Sequence, residues 1–307
     1  MSKIKDFITI SRLKILIATP ALPLLGVFLA ADSFSDLNIY LIPFMILYFI
    51  SIIYACNVNC YYDRDLDIKY KVHLANAVDS LGKMTIRIIL IIETVAIVFL
   101  SIYLMLIGFV VVGIISIIGW VVSTSYSALP VRIKKRGYLS AIPIIIGLFA
   151  FPFINGWLMV SNTFNIFGII VLVGYILMNE GLNLVNTAED YEEDRSEGIR
   201  TWAHVFGLKN TFRMAFIFTF IGGACCIIGL FMKFFLIPVY LYNIAFSSAF
   251  IIISGTFILK STIDIYKISK EGDLKKAAKE NASKLPFWFA STRYPMLIAA
   301  ICMLIPF

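Results

Sequence analysis

Apolar runs of about twenty residues, the length a helix needs to cross a bilayer, recur along the whole chain. They fall at roughly 13–31, 38–58, 84–105, 108–127, 139–157, 164–186, 212–232, 235–259 and 286–306. Hydrocarbon leaves the backbone only helices and closed barrels, and these runs lack the period-two alternation of barrel strands. Of the 307 residues 15% are charged and 60% hydrophobic, against about a quarter charged in soluble domains. A signal peptide does not account for runs that continue to the last residue. The sequence predicts an all-α polytopic membrane protein with about nine transmembrane helices in one bundle around a central cavity.

Basic residues then set the orientation. Lys3, Lys5, Arg12 and Lys14 precede the first run, and Arg64, Lys69, Lys71 and Lys83 follow the second. "VRIKKRG" follows the fourth run, Arg195, Arg200 and Lys209 the sixth, and the Lys-rich segment 260–284 the eighth. The alternate connections "ADSFSDLN", "NGWLMVSNTFN" and "MKF" are nearly free of them. Positive-inside asymmetry places the N-terminus and the basic loops in the cytoplasm of a multi-pass cell-membrane protein, and the C-terminus outside. The same asymmetry accounts for the net charge of +7, so nucleic acid is not an expected partner. The five cysteines, Cys56, Cys60, Cys225, Cys226 and Cys302, lack metal or disulfide spacing and read as small core residues. His73 and His204 lie far apart, which argues against a histidine metal site.

Charge appears where it is least expected, at the ends of two apolar runs. "NCYYDRDLD", Asn59 to Asp67, leaves the second run, and "NTAEDYEED", Asn186 to Asp194, leaves the sixth. Asn59, Asp63 and Asp67 repeat in spacing as Asn186, Asp190 and Asp194, and four spans between them put both sets on one face. This weak parallel repeat divides a single domain, 1–307, into halves at about 1–127 and 128–307. Spacing of four stacks side chains on one helical face, where like charges repel. A solvated rim of loop charges is the plain alternative for either stretch alone. Two stretches with one spacing on one face favour a cation site. Hard oxygen ligands suit Mg²⁺ or Mn²⁺, with phosphate oxygens completing the shell. Two facing Asp pairs would hold two or three ions around a diphosphate. Arg64 and Asp65 point elsewhere and read as rim charges. Between the two stretches lies "SYSALPVRIKKRG", Ser125 to Gly137, where Lys134 is the leading candidate to meet a phosphate. Topology alone explains much of that basic cluster.

Taken together these segments resemble the UbiA superfamily of intramembrane prenyltransferases. "NCYYDRDLD" is similar to the family's NDxxDxxxD-type motif, "DYEEDRSEGIRT" to its second, D-x-E-x-D-x-x-x-G-x-x-T, and "YSALPVRIK" to the segment between. The resemblance implies that Asn59, Asp63, Asp67, Asp190 and Asp194 hold Mg²⁺. It implies that Asn59, Asn186, Tyr126 and Arg132 bind the isoprenyl diphosphate, and that Asp63, Asp67, Asp190, Asp194 and Lys134 carry catalysis. Two departures stand out. Cys60 replaces a usual aspartate, and "KVHLANAVDSLG" replaces a basic, proline-rich tail, pointing away from ubiquinone- or haem-type acceptors.

The implied activity is Mg²⁺-dependent transfer of a polyprenyl group to a lipophilic acceptor in the membrane. The acceptor is an aromatic quinone precursor or a prenylated glycerol phosphate. Ionisation leaves an allylic cation that demands a dry, aromatic-lined cavity. Tyr48, Tyr54, Tyr61, Tyr126, Phe149, Phe151 and Tyr175 are candidates for its lining. Two other readings stay open: a cyclase or hydrolase acting on the diphosphate without acceptor, and a cation-coupled transporter. The transporter requires ionisable residues at mid-span, and the second and sixth runs carry theirs at the cytosolic end. Donor chain length, acceptor identity and oligomeric state are not encoded legibly.

Overall fold

The computed structural model describes residues 3–13, 17–236 and 241–305, and among these every regular element is helical. Amphipathic α1 (Lys3–Ile10) lies on α4 (Val72–Leu81), where buried Asp6 accepts from Ser80 Oγ at 2.7 Å. α2 (Ala21–Ala30) is short. Seven helices are long and apolar enough to cross a membrane: α3 (Leu41–Tyr70), α5 (Lys83–Leu106), α6 (Val110–Ser127), α7 (Gly137–Leu158), α8 (Ile166–Glu189), α11 (Leu208–Leu236) and α12 (Leu241–Ile268). Short α9 (Tyr191–Ser196), α10 (Trp202–Phe206) and α13 (Leu274–Ala282) lie between them, and α14 (Leu285–Cys302) follows. The first and ninth apolar runs thus correspond to α2 and α14, so the count of about nine holds with two atypical members. The protein is a multi-pass integral membrane protein.

The atypical pair share one cause. Residues 17–20 precede α2 in a non-helical turn, which within a bilayer is tolerated only where the backbone finds partners inside the protein. Arg293, which interrupts the last apolar run, donates through Nη1 to the Ala18 carbonyl at 3.1 Å and through Nε to Asn179 Oδ1 at 2.7 Å. Tyr48 Oη donates to the Thr19 carbonyl at 2.9 Å, Tyr175 Oη to Ala21 at 3.4 Å, and Tyr294 Oη to Ile17. At the far end of α2, Lys233 Nζ donates to the carbonyls of Phe28, Leu29 and Ala31 at 2.7–3.1 Å. Buried cations thereby replace the backbone bonds that a broken span forgoes.

α8 is the most buried span, with 67% of its apolar window inside the protein. Its approach to α11 depends on small residues: a Cβ at Gly222 would come within 2.3 Å of the Met178 amide nitrogen. Close backbone approach of this kind replaces hydrophobic driving force between helices in lipid. α7 begins as a 3₁₀ turn and winds as a π-helix over Ile144–Ala150. A π segment of this kind commonly flanks a functional site. Here it contributes Ile144, Gly147 and Leu148 to the wall of the central cavity.

Candidate active site

Every element of the site is a helix end or the segment beside one. α3 runs thirty residues without a break, so Asn59, Asp63 and Asp67 project from a continuous helix. α8 ends at Glu189, Asp190 stands at the N-terminal boundary of the short α9, and Asp194 lies within it. One cavity of about 370 Å³ gathers Asn59, Asp63, Asp67, Tyr126, Lys134, Asn186, Asp190 and Asp194 along its wall. Arg132 stands just behind, its Nη2 donating to Asp63 Oδ1 at 2.8 Å. Eight of the nine residues singled out from sequence therefore border one space.

Asp63 and Asp190 are held by cations from other segments. Asp63 is 5% exposed and takes Lys134 Nζ on its second oxygen, while Asn59 Nδ2 donates to the same oxygen at 2.7 Å. Asn59 also reaches Ser127 Oγ at 3.1 Å, joining α3 to α6. Across the cavity, Lys71 Nζ sits 3.1 Å from Asp190 Oδ1. Burial lowers the Lys134 ammonium from its usual range, with Asp63 opposing the shift. Burial also works against the charge on Lys71, and there Asp190 outweighs it, so Lys71 is raised. Asp194 is pushed up to about 7 by burial and by Asp190 beside it.

Among the described residues, two that are not glycine have positive φ: Arg12 at 48° and Arg132 at 39°. Both aim a guanidinium at the first acidic stretch, Arg12 Nη2 donating to Asn59 Oδ1 at 3.0 Å. Backbone strain of about 1–3 kcal/mol persists where surrounding structure enforces it, and it clusters at functional sites. Arg12 and Lys71 both line the cavity, although in the sequence both pass for topological charge. One signal is available for Lys71, which continues the four-residue spacing of Asn59, Asp63 and Asp67. Arg12 carries none, since it stands 47 positions before the asparagine it meets.

The donor set suits a hard cation completed by a ligand. Asp67 Oδ2 is buried with no hydrogen-bond partner, an acceptor that a cation would satisfy. Among the described residues no three His, Cys, Asp or Glu side chains form a cage by themselves, so any bound ion must draw oxygens from elsewhere. The rest of the cavity is mainly apolar, with Ser51, Ser116, Ser123 and Asn155 among its lining. Phe44, Leu47, Ile52, Ile115, Trp120 and Phe151 line it, and Leu47 lies sixteen residues along α3 from Asp63, about 24 Å of helix. Of the aromatic candidates, Tyr48, Tyr126 and Phe151 border the cavity. Phe149 and Tyr175 belong to the core between α2, α7 and α8, and Tyr54 to that between α3 and α5. Tyr61 accepts from Arg87 Nε at 2.7 Å. Cys60 is buried with Sγ against the Ile10 carbonyl. Arg64 pairs with Asp79 and Asp65 on the exposed side, as rim charges do.

Fold and site together define a multi-pass membrane protein with a charged cradle at one end of a greasy tunnel. Residues 20–264 match the model of the UbiA prenyltransferase family, and the chain belongs to that family. It is a prenyltransferase. No curated protein matches the chain significantly in sequence. Solved structures share its fold. A UbiA homologue from Archaeoglobus fulgidus bound to GPP and Mg²⁺ superposes with a TM-score of 0.70 at 13% identity, over 97% of this chain and 99% of that one. The same homologue bound to DMAPP and Mg²⁺ gives 0.64 at 12%, over 95% and 99%. A digeranylgeranylglyceryl phosphate synthase gives 0.64 at 17%, over 98% and 99%.

Proposed function

We propose that the protein transfers a polyprenyl group from an isoprenyl diphosphate to a lipophilic acceptor inside the membrane, with Mg²⁺ as cofactor. The acceptor is an aromatic quinone precursor or a prenylated glycerol phosphate. One observation carries this reading: two Asp pairs, one on α3 and one just after α8, face a single cavity whose remainder is mainly apolar. An allylic diphosphate has that same division, a multiply charged anionic head on a hydrocarbon tail. The allylic diphosphates and Mg²⁺ bound by the structural neighbours agree with it.

Asp63, Asp67, Asp190 and Asp194, with Asn59, are assigned to the metal ions. Lys134, Arg132, Asn186 and Tyr126 are assigned to the diphosphate. Bound Mg²⁺ supplies charge neutralisation that makes diphosphate a better leaving group. The chain's own work is to orient and to exclude water. Lys134 and Arg132 lie where charge accumulates as the C1–O bond breaks, and the aromatic wall faces the allylic cation. The basic residues around the cradle favour a cytoplasmic mouth, with the N-terminus inside and the C-terminus outside. The two Asn-Asp-Asp sets support division into halves at about 1–127 and 128–307.

The test is an acceptor screen with fixed donor. Purified protein, Mg²⁺ and labelled geranylgeranyl diphosphate should yield prenylated product with geranylgeranylglyceryl phosphate or with 1,4-dihydroxy-2-naphthoate, an aromatic quinone precursor outside the ubiquinone type. Consumption of donor at the same rate without acceptor would assign a hydrolase or cyclase instead.

A further inference from the structure

Behind the cradle lies a second chamber of about 20 Å³, room for one water molecule. Tyr126, Asn183, Thr187 and Thr201 border both this chamber and the main cavity, so the two adjoin at the diphosphate end. The chamber also touches Ser140 and, from α8, Glu180.

Glu180 is 2% exposed. Its Oε2 accepts from Asn183 Nδ2 at 3.2 Å, and its Oε1 is buried with no hydrogen-bond partner. No Lys or Arg pairs with it among the described residues. A carboxyl placed so costs stability, because a buried polar atom without a partner loses about 1–3 kcal/mol. Packing does not call for it, since close contact between α8 and α11 is made by Gly174, Gly181 and Gly222. The titratable group that borders the same chamber is Tyr126, which also feels Asp63, Asp190 and Asp194.

Prenyl transfer creates a need for such a group. The acceptor's electron pair forms the new bond to C1, and the C1–O pair departs on the diphosphate. The acceptor is left with one surplus proton. In the function proposed above the aspartates of the cradle hold Mg²⁺, and a carboxylate bound to metal is a poor proton taker. Glu180 lies six residues along α8 from Asn186, about 9 Å toward the apolar end, the level at which C1 and the acceptor would meet.

We propose that Glu180 accepts the proton released by the acceptor, passed through one water held in the chamber beside Tyr126. The water gives its proton to Glu180 Oε1 and regains one from the acceptor, so the balance closes with no further reactant. After product leaves, the proton returns to solvent through the cradle. This role rests on the prenyl-transfer function proposed above.

Full-length protein in lipid nanodiscs, with Mg²⁺, geranylgeranyl diphosphate and whichever of the two acceptors the wild type prenylates, provides the test. Glu180→Gln keeps the size and the bond to Asn183 and removes the base. It is expected to lower kcat about 100-fold or more, the scale of general-base catalysis, with donor KM within twofold of wild type. Glu180→Ala opens space for a small acid, and sodium formate is expected to raise its kcat at least tenfold. Wild-type kcat in E180Q, or no response of E180A to formate, overturns the proposal. A wild type inactive toward both acceptors removes the acceptor class proposed above, and this role with it, whereas a negative result in the Glu180 variants alone leaves the proposed function standing.

Discussion

Lys134 and Asp63 form an ion pair with side chains only 7% and 6% exposed, and Arg132 holds the other oxygen of the same aspartate at 2.8 Å. This arrangement binds the segment after α6 to the end of α3, so one carboxylate anchors two cations at the diphosphate cradle. The pair on the opposite wall, Lys71 with Asp190, is far more open, at 35% and 26%. Two acidic stretches of equal spacing therefore have unequal structural weight.

That inequality separates folding from turnover. Removing one partner of a buried pair costs about 3–5 kcal/mol, so Asp63→Ala is expected to lower Tm by many degrees. Asp190→Ala breaks a partly exposed pair and should cost about 1 kcal/mol or less. Both are expected to cut turnover roughly 1,000-fold through lost transition-state charge stabilisation. Thermal unfolding in detergent beside diphosphate release from geranylgeranyl diphosphate measures both effects. Wild-type turnover in D190A would remove the second acidic stretch from the site.

Asp194 gives a pH signature. In the metal-free protein it sits at about 7 through burial and the neighbouring Asp190, above the ordinary carboxylate range near 3.9. The folded chain then binds this proton more tightly than the unfolded chain, so its contribution to stability declines as pH rises from about 4 to 7. Mg²⁺ must displace that proton. Apparent Mg²⁺ affinity should accordingly rise up to roughly tenfold per pH unit below 7 and level off above it. A Mg²⁺ titration of Tm at pH 6, 7 and 8 reads this directly, and a flat response would place Asp194 away from the metal.

What the sequence shows depends on how local each feature is. Asn59, Asp63 and Asp67 belong to one helix, so their spacing alone predicts a shared face, and Asp190 and Asp194 repeat it. Arg12 and Lys71 meet those residues only after the bundle assembles, and no spacing rule joins residue 12 to residue 59. Glu180 is invisible for the same reason: a glutamate inside an apolar run has meaning only once Asn183 and Tyr126 close the chamber around it. Arg293 looks like a flaw in a membrane span until residues 17–20 supply the carbonyl it serves.

Arg293 therefore has a specific energetic expectation. Its guanidinium lies 4.3 Å over the Phe289 ring and serves both Asn179 and Ala18. Arg293→Met would leave both acceptors buried and unpaired, costing about 3 kcal/mol or more. Arg293→Lys should recover little, because an ammonium does not reproduce the planar fork. Asn179→Ala and R293M share one interaction, so their combined loss in Tm should fall clearly below the sum of the single losses. Strict additivity would show that the two side chains act apart.

Arg12 offers the cleanest separation of binding from stability. Its Nη2 donates to Asn59 Oδ1 and the residue lines the cavity, which places a cation beside any anion in the cradle. A hydrogen bond to a charged group contributes about 1.5–3 kcal/mol, so Arg12→Gly is expected to raise donor KM roughly tenfold or more. Glycine also adopts the φ of 48° without steric cost, and this relief offsets the missing bond to Asn59. Tm should therefore stay within a few degrees of wild type. Steady-state kinetics with geranylgeranyl diphosphate at saturating Mg²⁺, beside thermal unfolding, tests both halves. An unchanged KM would mean that the guanidinium serves Asn59 alone, while a large fall in Tm would mean that it holds the N-terminal segment rather than the substrate.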